Sequence, residues 1–355
     1  MKQESLTKLL YEVQELPVFQ NRMYGSEVEA KECPKGNIRL VENSETGLIY
    51  NETFCPELME YDKNYQNEQG VSPFFKRHLR DVVSIIENVV GKENLVEVGC
   101  GKGFFLEMLI DKGFKVTGFD PTYEGSNPNI ERRYFTSNVG LQGKALILRH
   151  VLEHIQNPVD FLFQLKDANG GRGKIYIEVP CFDWICQHRA WFDIFYEHVN
   201  YFRLSDFHRL FGEVLDSGKL FGDQYLYVVA ELASLQLPKI DRDNLVNFPF
   251  NFLKNLTKHS KVGRDKKAIW GGASKGVIFA LLSSRLGQPV DVVIDLNPAK
   301  QNKYLPSTGL RVSSPQEVFE LLPKGSTLFV MNSNYLEEIK AMSKYLFNYV
   351  SIDHD

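Results

Sequence analysis

Apolar residues along this chain change their period several times, and the changes divide it into three regions. From about residue 72 to residue 90 they recur at helical spacing (Phe75, Leu79, Val82, Val83, Ile86, Val89), which predicts one amphipathic helix. Short apolar runs then alternate with helical stretches: a strand over 94–98, a glycine loop, a helix to Leu109, and further strands over 115–119, 145–148 and 174–179. Strands that are apolar throughout belong to a parallel sheet covered by helices on both faces. Residues 213–220 and 224–231, parted by Phe221-Gly222-Asp223, read as a hairpin adding an antiparallel edge to that sheet. After a connector that reads as helical over 244–258, the alternation begins again. It runs through a strand over 267–270, the loop 271–276, a helix to about Leu286, and strands over 290–295, 327–331 and 349–352.

Upstream, residues 24–68 are turn-rich, with short candidate strands over 38–41 and 47–50 around the polar turn 42–46. The expected architecture is therefore α/β. A Rossmann-like domain over 72–235 is flanked by a small N-terminal domain over 1–71 and by a smaller α/β domain of the same general kind over 236–355. The two glycine loops share a pattern, but no residue-level repeat accompanies it.

Composition narrows the function. At 355 residues the chain exceeds one comfortable core, and its 43% hydrophobic and 24% charged residues are the balance of a globular protein. A net charge of -4 without a dense basic run argues against nucleic acid as a partner. The first residues lack the apolar core of a secretory signal and no stretch is apolar enough to cross a bilayer, so a cytoplasmic protein without membrane contact is expected. Five cysteines (Cys33, Cys55, Cys100, Cys181, Cys186), odd in number and without a paired CxxC, speak against a disulfide framework and a zinc ribbon.

The chemistry-bearing run is Glu97-Val98-Gly99-Cys100-Gly101-Lys102-Gly103 at the end of the first strand of the middle region. Gly99, Gly101 and Gly103 let the backbone turn sharply and approach a ligand, while the following helix aims its first amides at a negative group. A dinucleotide fingerprint would carry its last glycine where this chain has Phe104, so the spacing favours S-adenosylmethionine over NAD. Asp120 closes the second strand at the distance where such folds place an acid for ribose hydroxyls. His150 ends the fourth strand at the ligand edge, flanking the methyl donor or the acceptor. Glu153 and His154, one turn on, read as a helix start rather than a catalytic pair. In the loop 271–276, backbone amides and Lys275 suit a phosphate, although a tight strand-to-helix turn explains the glycines equally well.

These motifs together resemble the sugar C-methyltransferases that act on nucleotide-linked deoxysugar ketones, nearly end to end. The resemblance is carried by the run from Tyr61 through Tyr65 to Gln69, the glycine loop, Val151-Leu152-Glu153-His154-Ile155, and the segment from Phe192 through Tyr196-Glu197-His198 to Phe202. At the C-terminal end it is carried by residues 270–276 with Asn297-Pro298 and Lys300-Gln301. It implies that His198 is the base removing a proton next to the ketone, with Tyr196 and Glu197 as neighbours and Tyr196 able to donate to the enolate. It also implies that Glu97, Gly99, Gly101, Gly103, Asp120 and His150 meet the cofactor, and that Tyr61, Tyr65 and Lys275 meet the substrate. Imidazole suits the task, since its ordinary pKa near 6.5 lets it accept a proton at neutral pH. The chain departs from the family where paired N-terminal cysteines hold zinc: only Cys33 and Cys55 stand in this region, too few for a tetrahedral site, and no metal is expected. Two other readings remain: O- or N-methylation of a sugar or other small metabolite, and a nucleotide- or S-adenosylmethionine-binding module without turnover.

Overall fold

The computed structural model describes residues 6–59, 72–256 and 266–353. At its centre is a seven-stranded sheet made of β4 (Leu95–Val98), β5 (Val116–Phe119), β6 (Ile130–Glu131), β7 (Ala145–Arg149), β8 (Lys174–Pro180), β10 (Val214–Leu220) and β11 (Tyr225–Glu231). The strand order is β10-β11-β8-β7-β4-β5-β6. The apolar runs behave as expected: all four residues of β4 are buried, as a parallel strand covered on both faces requires. The hairpin exists but is placed differently from a simple antiparallel edge. Its second strand, β11, pairs antiparallel with β8 and lies inside the sheet, while β10 takes the edge and runs with the parallel strands.

A five-stranded, all-parallel sheet follows: β12 (Lys267–Trp270), β13 (Val292–Ile294), β14 (Val312–Ser313), β15 (Thr327–Val330) and β16 (Asn348–Ser351), in the order β14-β13-β12-β15-β16. Both parallel sheets reverse their strand order beside their first strand, at β4/β7 and at β12/β15. Ligand crevices of open α/β sheets open at such points, outside the carboxyl ends of the strands.

The third sheet is antiparallel and joins β1 (Thr7–Pro17), β2 (Lys35–Asn43), β3 (Ile49–Asn51) and β9 (Asn200–Tyr201). Two of its strands come from places the apolar pattern did not mark. In β1 the register shifts between Leu9 and Tyr11 and between Val13 and Leu16, which breaks the two-residue period that would announce a strand. β9 arrives from the middle region, directly after His198, and pairs with β3. The connector is also corrected: residues 244–250 form no helix, and a helical turn begins only at Lys254.

Packing brings the sheets onto one another. The helix Pro73–Val89, capped by the Ser72 hydroxyl accepting from the Phe74 amide at 3.1 Å, turns Phe75, His78, Leu79, Val82, Val83 and Ile86 inward. One apolar cluster contains Ile38 and Leu40 of the N-terminal sheet, Val96 and Leu146 of the central sheet, and Ile269 and Val293 of the C-terminal sheet. Trp191 anchors this union. It is 1% exposed and stacks on Phe279 of the helix Ser274–Arg285 with ring centroids 5.8 Å apart. Truncating such a buried aromatic costs about 3–5 kcal/mol, enough to loosen the segment that follows it, 195–202. Among the described residues no helix is long and apolar enough to cross a membrane.

Candidate active site

The loop after β4 has the backbone that its glycines permit. Gly99 and Gly103 sit at φ +73° and +83°, and a Cβ on either would lie 2.6 Å from Val151 and 2.5 Å from Ile130 respectively. At Gly101 the same test meets nothing within 4 Å, so the loop carries free space at its middle. The Gly101 amide donates to Asp120 Oδ2 at 2.8 Å, while Asp120 Oδ1 accepts from the Thr122 amide and hydroxyl at 2.8 and 2.7 Å. Asp120 is thereby fixed at the loop's edge. Glu97 is buried beneath it with Oε2 unpartnered. Burial pushes its carboxyl up to about 8, Arg149 working against that shift and Asp120 adding to it. A buried acid with one oxygen unpartnered, an acid held at the loop's edge and a helix N-terminus together could hold an ammonium, a diol and a carboxylate. An adenosyl amino acid carries all three.

Beside this loop lies a network centred on Glu178 of β8. Its carboxylate receives His78 at 2.9 Å, Arg149 through Nε and Nη2 at 3.1 Å each, His150 Nε2 at 3.1 Å and the Tyr176 hydroxyl at 2.9 Å. Burial opposes its charge, but Arg149 and the histidine hydrogen bonds hold the carboxyl well below the usual range. His150, at φ +52°, is clamped between two acids, with Nδ1 3.3 Å from Glu153 and Nε2 on Glu178. Donating from both ring nitrogens requires an imidazolium. Burial disfavours that charge, and the bonds to Glu153 and Glu178 outweigh it, raising the ring to about 9. Neither nitrogen of His150 is therefore left for a ligand, and its ring meets the cavity by shape and charge alone.

That cavity, about 270 Å³, lies between the ligand edges of the two parallel sheets. His150, Glu153, His154, Glu197 and His198 line one wall, and the loop after β12 with Asp295 and Lys300 lines the other. The floor is stitched together by backbone. Val199 donates to the Glu153 carbonyl at 2.8 Å, His154 Nδ1 donates to the Glu197 carbonyl at 2.8 Å, and Asn200 Nδ2 donates to the Ile155 carbonyl at 2.6 Å. Sequence reasoning passed over Glu153 and His154 as a helix start; they form a single turn, Leu152–His154, and both face the cavity. No local spacing could reveal this, because their partner His198 is 44 residues away and is brought in by β9. Glu153 keeps Oε2 buried without a partner, as His198 keeps Nδ1. Burial, then the charges of His154 and His150, hold His198 well below its ordinary pKa, so its ring is neutral at pH 7.

Other expected residues fall elsewhere. Tyr196 is fully buried under the N-terminal sheet: its hydroxyl accepts from the Cys55 amide at 2.8 Å, its ring lies 5.4 Å from that of Phe54, and it does not line the cavity. Tyr61 and Tyr65 lie outside the described residues. Lys275 does line the cavity, but its ammonium is engaged by Asp193 at 3.0 Å and Gln224 at 2.9 Å. The ligand atoms of Glu153, His154 and His198 fall within 4.8 Å of one another, a set able to reach a divalent ion. The neighbouring His150 imidazolium, which already holds Glu153, opposes a second cation there. In the N-terminal region Cys33 Sγ faces Ser307 at 3.5 Å and Cys55 Sγ faces Glu57 at 2.9 Å, so the two thiols address different neighbours.

Residues 61–214 match the family model described as a methyltransferase domain. That stretch of the chain is similar to methyltransferase domains. The match spans β4 to the start of β10 and includes the glycine loop, Asp120 and the Glu153–His198 floor. Among solved structures, the 1,6-didemethyltoxoflavin N1-methyltransferase of Burkholderia thailandensis is 14% identical, with 46% of this chain and 79% of that chain covered and a TM-score of 0.33. Magnesium protoporphyrin IX methyltransferase of Synechocystis, solved with S-adenosylmethionine, is 15% identical, with 44% and 78% covered and a TM-score of 0.33. A protein of Pyrococcus horikoshii is 12% identical, with 51% and 100% covered and a TM-score of 0.36. Comparison with curated proteins yields no match. The matched residues thus include the glycine loop and one wall of the cavity, and the C-terminal sheet supplies the opposite wall.

Proposed function

We propose that this methyltransferase acts on a carbon next to the ketone of a small acceptor, a nucleotide-linked deoxysugar, bound in the cavity between the two parallel sheets. The observation that carries the reading is the pairing, on a buried floor, of a neutral imidazole, His198, with the carboxyl group of Glu153, one oxygen of which lies within 4.8 Å of a ring nitrogen of His198. Glu97, Gly99, Gly101, Gly103 and Asp120 hold the cofactor: Glu97 takes its ammonium, Asp120 its ribose hydroxyls, and the helix N-terminus its carboxylate. S-adenosylmethionine, when bound, supplies an electrophilic methyl group. His198 would take the proton from the acceptor carbon, leaving the C–H electron pair in the enolate; that pair would then form the new carbon–carbon bond as the sulfur–methyl bond breaks and S-adenosylhomocysteine departs. The proton then leaves His198 for solvent. Glu153 stabilises the imidazolium as it forms, which a base with a depressed pKa needs. Glu197 fixes the geometry through its carbonyl bond to His154. Tyr196 acts from behind, by positioning the segment rather than by donating to the enolate. Lys275 meets an acceptor phosphate only by exchanging Asp193 for it.

The test is hydrogen exchange. A nucleotide-linked keto-sugar incubated with the protein and S-adenosylhomocysteine in deuterated water should exchange the hydrogen next to its ketone, since exchange requires proton removal but no methyl transfer. His198→Gln should abolish exchange and methylation together while cofactor binding survives. Methylation of oxygen or nitrogen without exchange at carbon would reject the carbon acceptor.

A further inference from the structure

Lys300 follows β13 in the C-terminal sheet, and its side chain reaches the shared cavity. It is 4% exposed, its Nζ opens to the cavity, and the polar contact found for that Nζ among the described residues is the distant one to Asp295. The nearest carboxylate oxygen, Asp295 Oδ2, is 3.9 Å away. Asp295 is already served by two backbone donors, the Gly272 amide at 2.9 Å and the Asn297 amide at 2.8 Å. Lys275, the other lysine on this wall, shows what a satisfied ammonium looks like here, with a carboxylate at 3.0 Å and an amide oxygen at 2.9 Å. A buried ammonium without hydrogen bonds is costly to maintain. Burial draws the pKa of Lys300 below the usual lysine range, with Asp295 and then Glu197 opposing. Lys300 and Glu197, the residue preceding His198, line the same cavity.

We propose that Lys300 is an oxyanion-binding residue of the acceptor site, completed only when an anionic oxygen of the acceptor enters the cavity. This rests on the proposed function only in seating the acceptor there. The oxygen has two sources, a permanent phosphate of the acceptor or the enolate oxygen that develops as His198 removes the proton, and both make the same charge-assisted bonds to an ammonium.

Lys300→Met separates them in the full-length protein. Inorganic pyrophosphate binding, followed through the fluorescence of Trp270 on the cavity wall, and hydrogen exchange of a nucleotide-linked keto-sugar are measured for both proteins. A loss of pyrophosphate affinity of roughly tenfold or more assigns the permanent anion. Unchanged affinity with exchange slowed by roughly tenfold or more assigns the enolate. The substituted protein should melt no lower than the parent, because Asp295 retains both amide donors. Equal affinity and equal exchange in the two proteins would overturn the proposal, as would a parent protein showing neither, or losses accompanied by a lower melting temperature. Failure of the carbon-methylation reading is recognised separately: exchange is then absent from the parent while the pyrophosphate arm still decides Lys300.

Discussion

Glu97 offers the sharpest thermodynamic handle on the cofactor site. Its carboxyl is 3% exposed with an unpartnered Oε2, and burial, against the pull of Arg149, pushes it up to about 8. With such a value, about nine-tenths of Glu97 is protonated at pH 7. An arriving ammonium binds the carboxylate, so S-adenosylmethionine binding at pH 7 should expel about 0.9 proton from this residue. Ionising it at that pH costs about 1.4 kcal/mol, a factor of about ten in affinity. Calorimetric titration at pH 7 in buffers of different ionisation enthalpy reads the proton count, and the ligand's own amino group, with an ordinary pKa of about 7.7–8.0, stays mostly charged there. Glu97→Gln should release almost no proton. Stability has a definite sign as well. The folded pKa lies above the unfolded one, so the folded chain holds a proton that the unfolded chain gives up. The stabilisation is therefore whole below about pH 4.5 and is lost progressively as pH rises to about 8. Glu97→Gln should escape that loss and be more stable at pH 7, by at most about 3 kcal/mol. Equal proton release by the two proteins would refute the contact between Glu97 and the ligand's ammonium.

Asp120→Ala removes the acceptor of the Gly101 amide together with the ribose ligand, and should weaken S-adenosylmethionine binding by about 1.5–3 kcal/mol for each charge-assisted bond lost; calorimetry that finds unchanged affinity would remove Asp120 from the site. Elemental analysis of the untagged protein should find no stoichiometric zinc, because Cys33 and Cys55 address different neighbours and the His150 imidazolium opposes a cation beside Glu153. One tightly held metal per chain would overturn this and would remove His198 from the role of base.

The fold was legible where burial on both faces writes an unbroken apolar run. β4, β5, β12, β13 and β15 lie inside the predicted strand runs, β7 and β8 overrun theirs by one residue, and both glycine loops follow the strands expected to precede them. It was illegible where pairing is short or the register breaks. β6, β9 and β14 have two residues each, too few for any period, and β1 carries two register shifts. The site divides in the same way. Glu97, Gly99, Gly101, Gly103 and Asp120 could be grouped from the sequence because loop and strand lie together in it. Glu153, His154 and Lys300 were not, since the first two meet His198 only through β9 and the third reaches the cavity from another sheet. Tyr196 shows the converse: it lies beside His198 in sequence, yet successive residues of an irregular segment point apart, and its hydroxyl accepts from the Cys55 amide.

The central and C-terminal sheets are built alike but leave different space at their first loops. Both carry the same device, an acid ending the second strand that accepts from a glycine amide of the first loop: Asp120 from Gly101 at 2.8 Å, and Asp295 from Gly272 at 2.9 Å. Their central strand orders match, β6-β5-β4-β7-β8 against β14-β13-β12-β15-β16. The space above the glycine differs. A Cβ at Gly101 would meet nothing within 4 Å, whereas one at Gly272 would meet Val293 at 3.2 Å and Asp295 and Val312 at 3.4 Å. The helix after β12 also packs closer, since a Cβ at Gly276 would lie 1.8 Å from the Gly271 carbonyl oxygen, while Phe104, where a third glycine would stand in the first unit, is 42% exposed. The second crevice has therefore closed over its own loop and turned its remaining polar groups, Lys275 and Lys300, toward the cavity. The first loop therefore keeps open backbone where the second is filled, and the C-terminal sheet meets the shared cavity through Lys275 and Lys300.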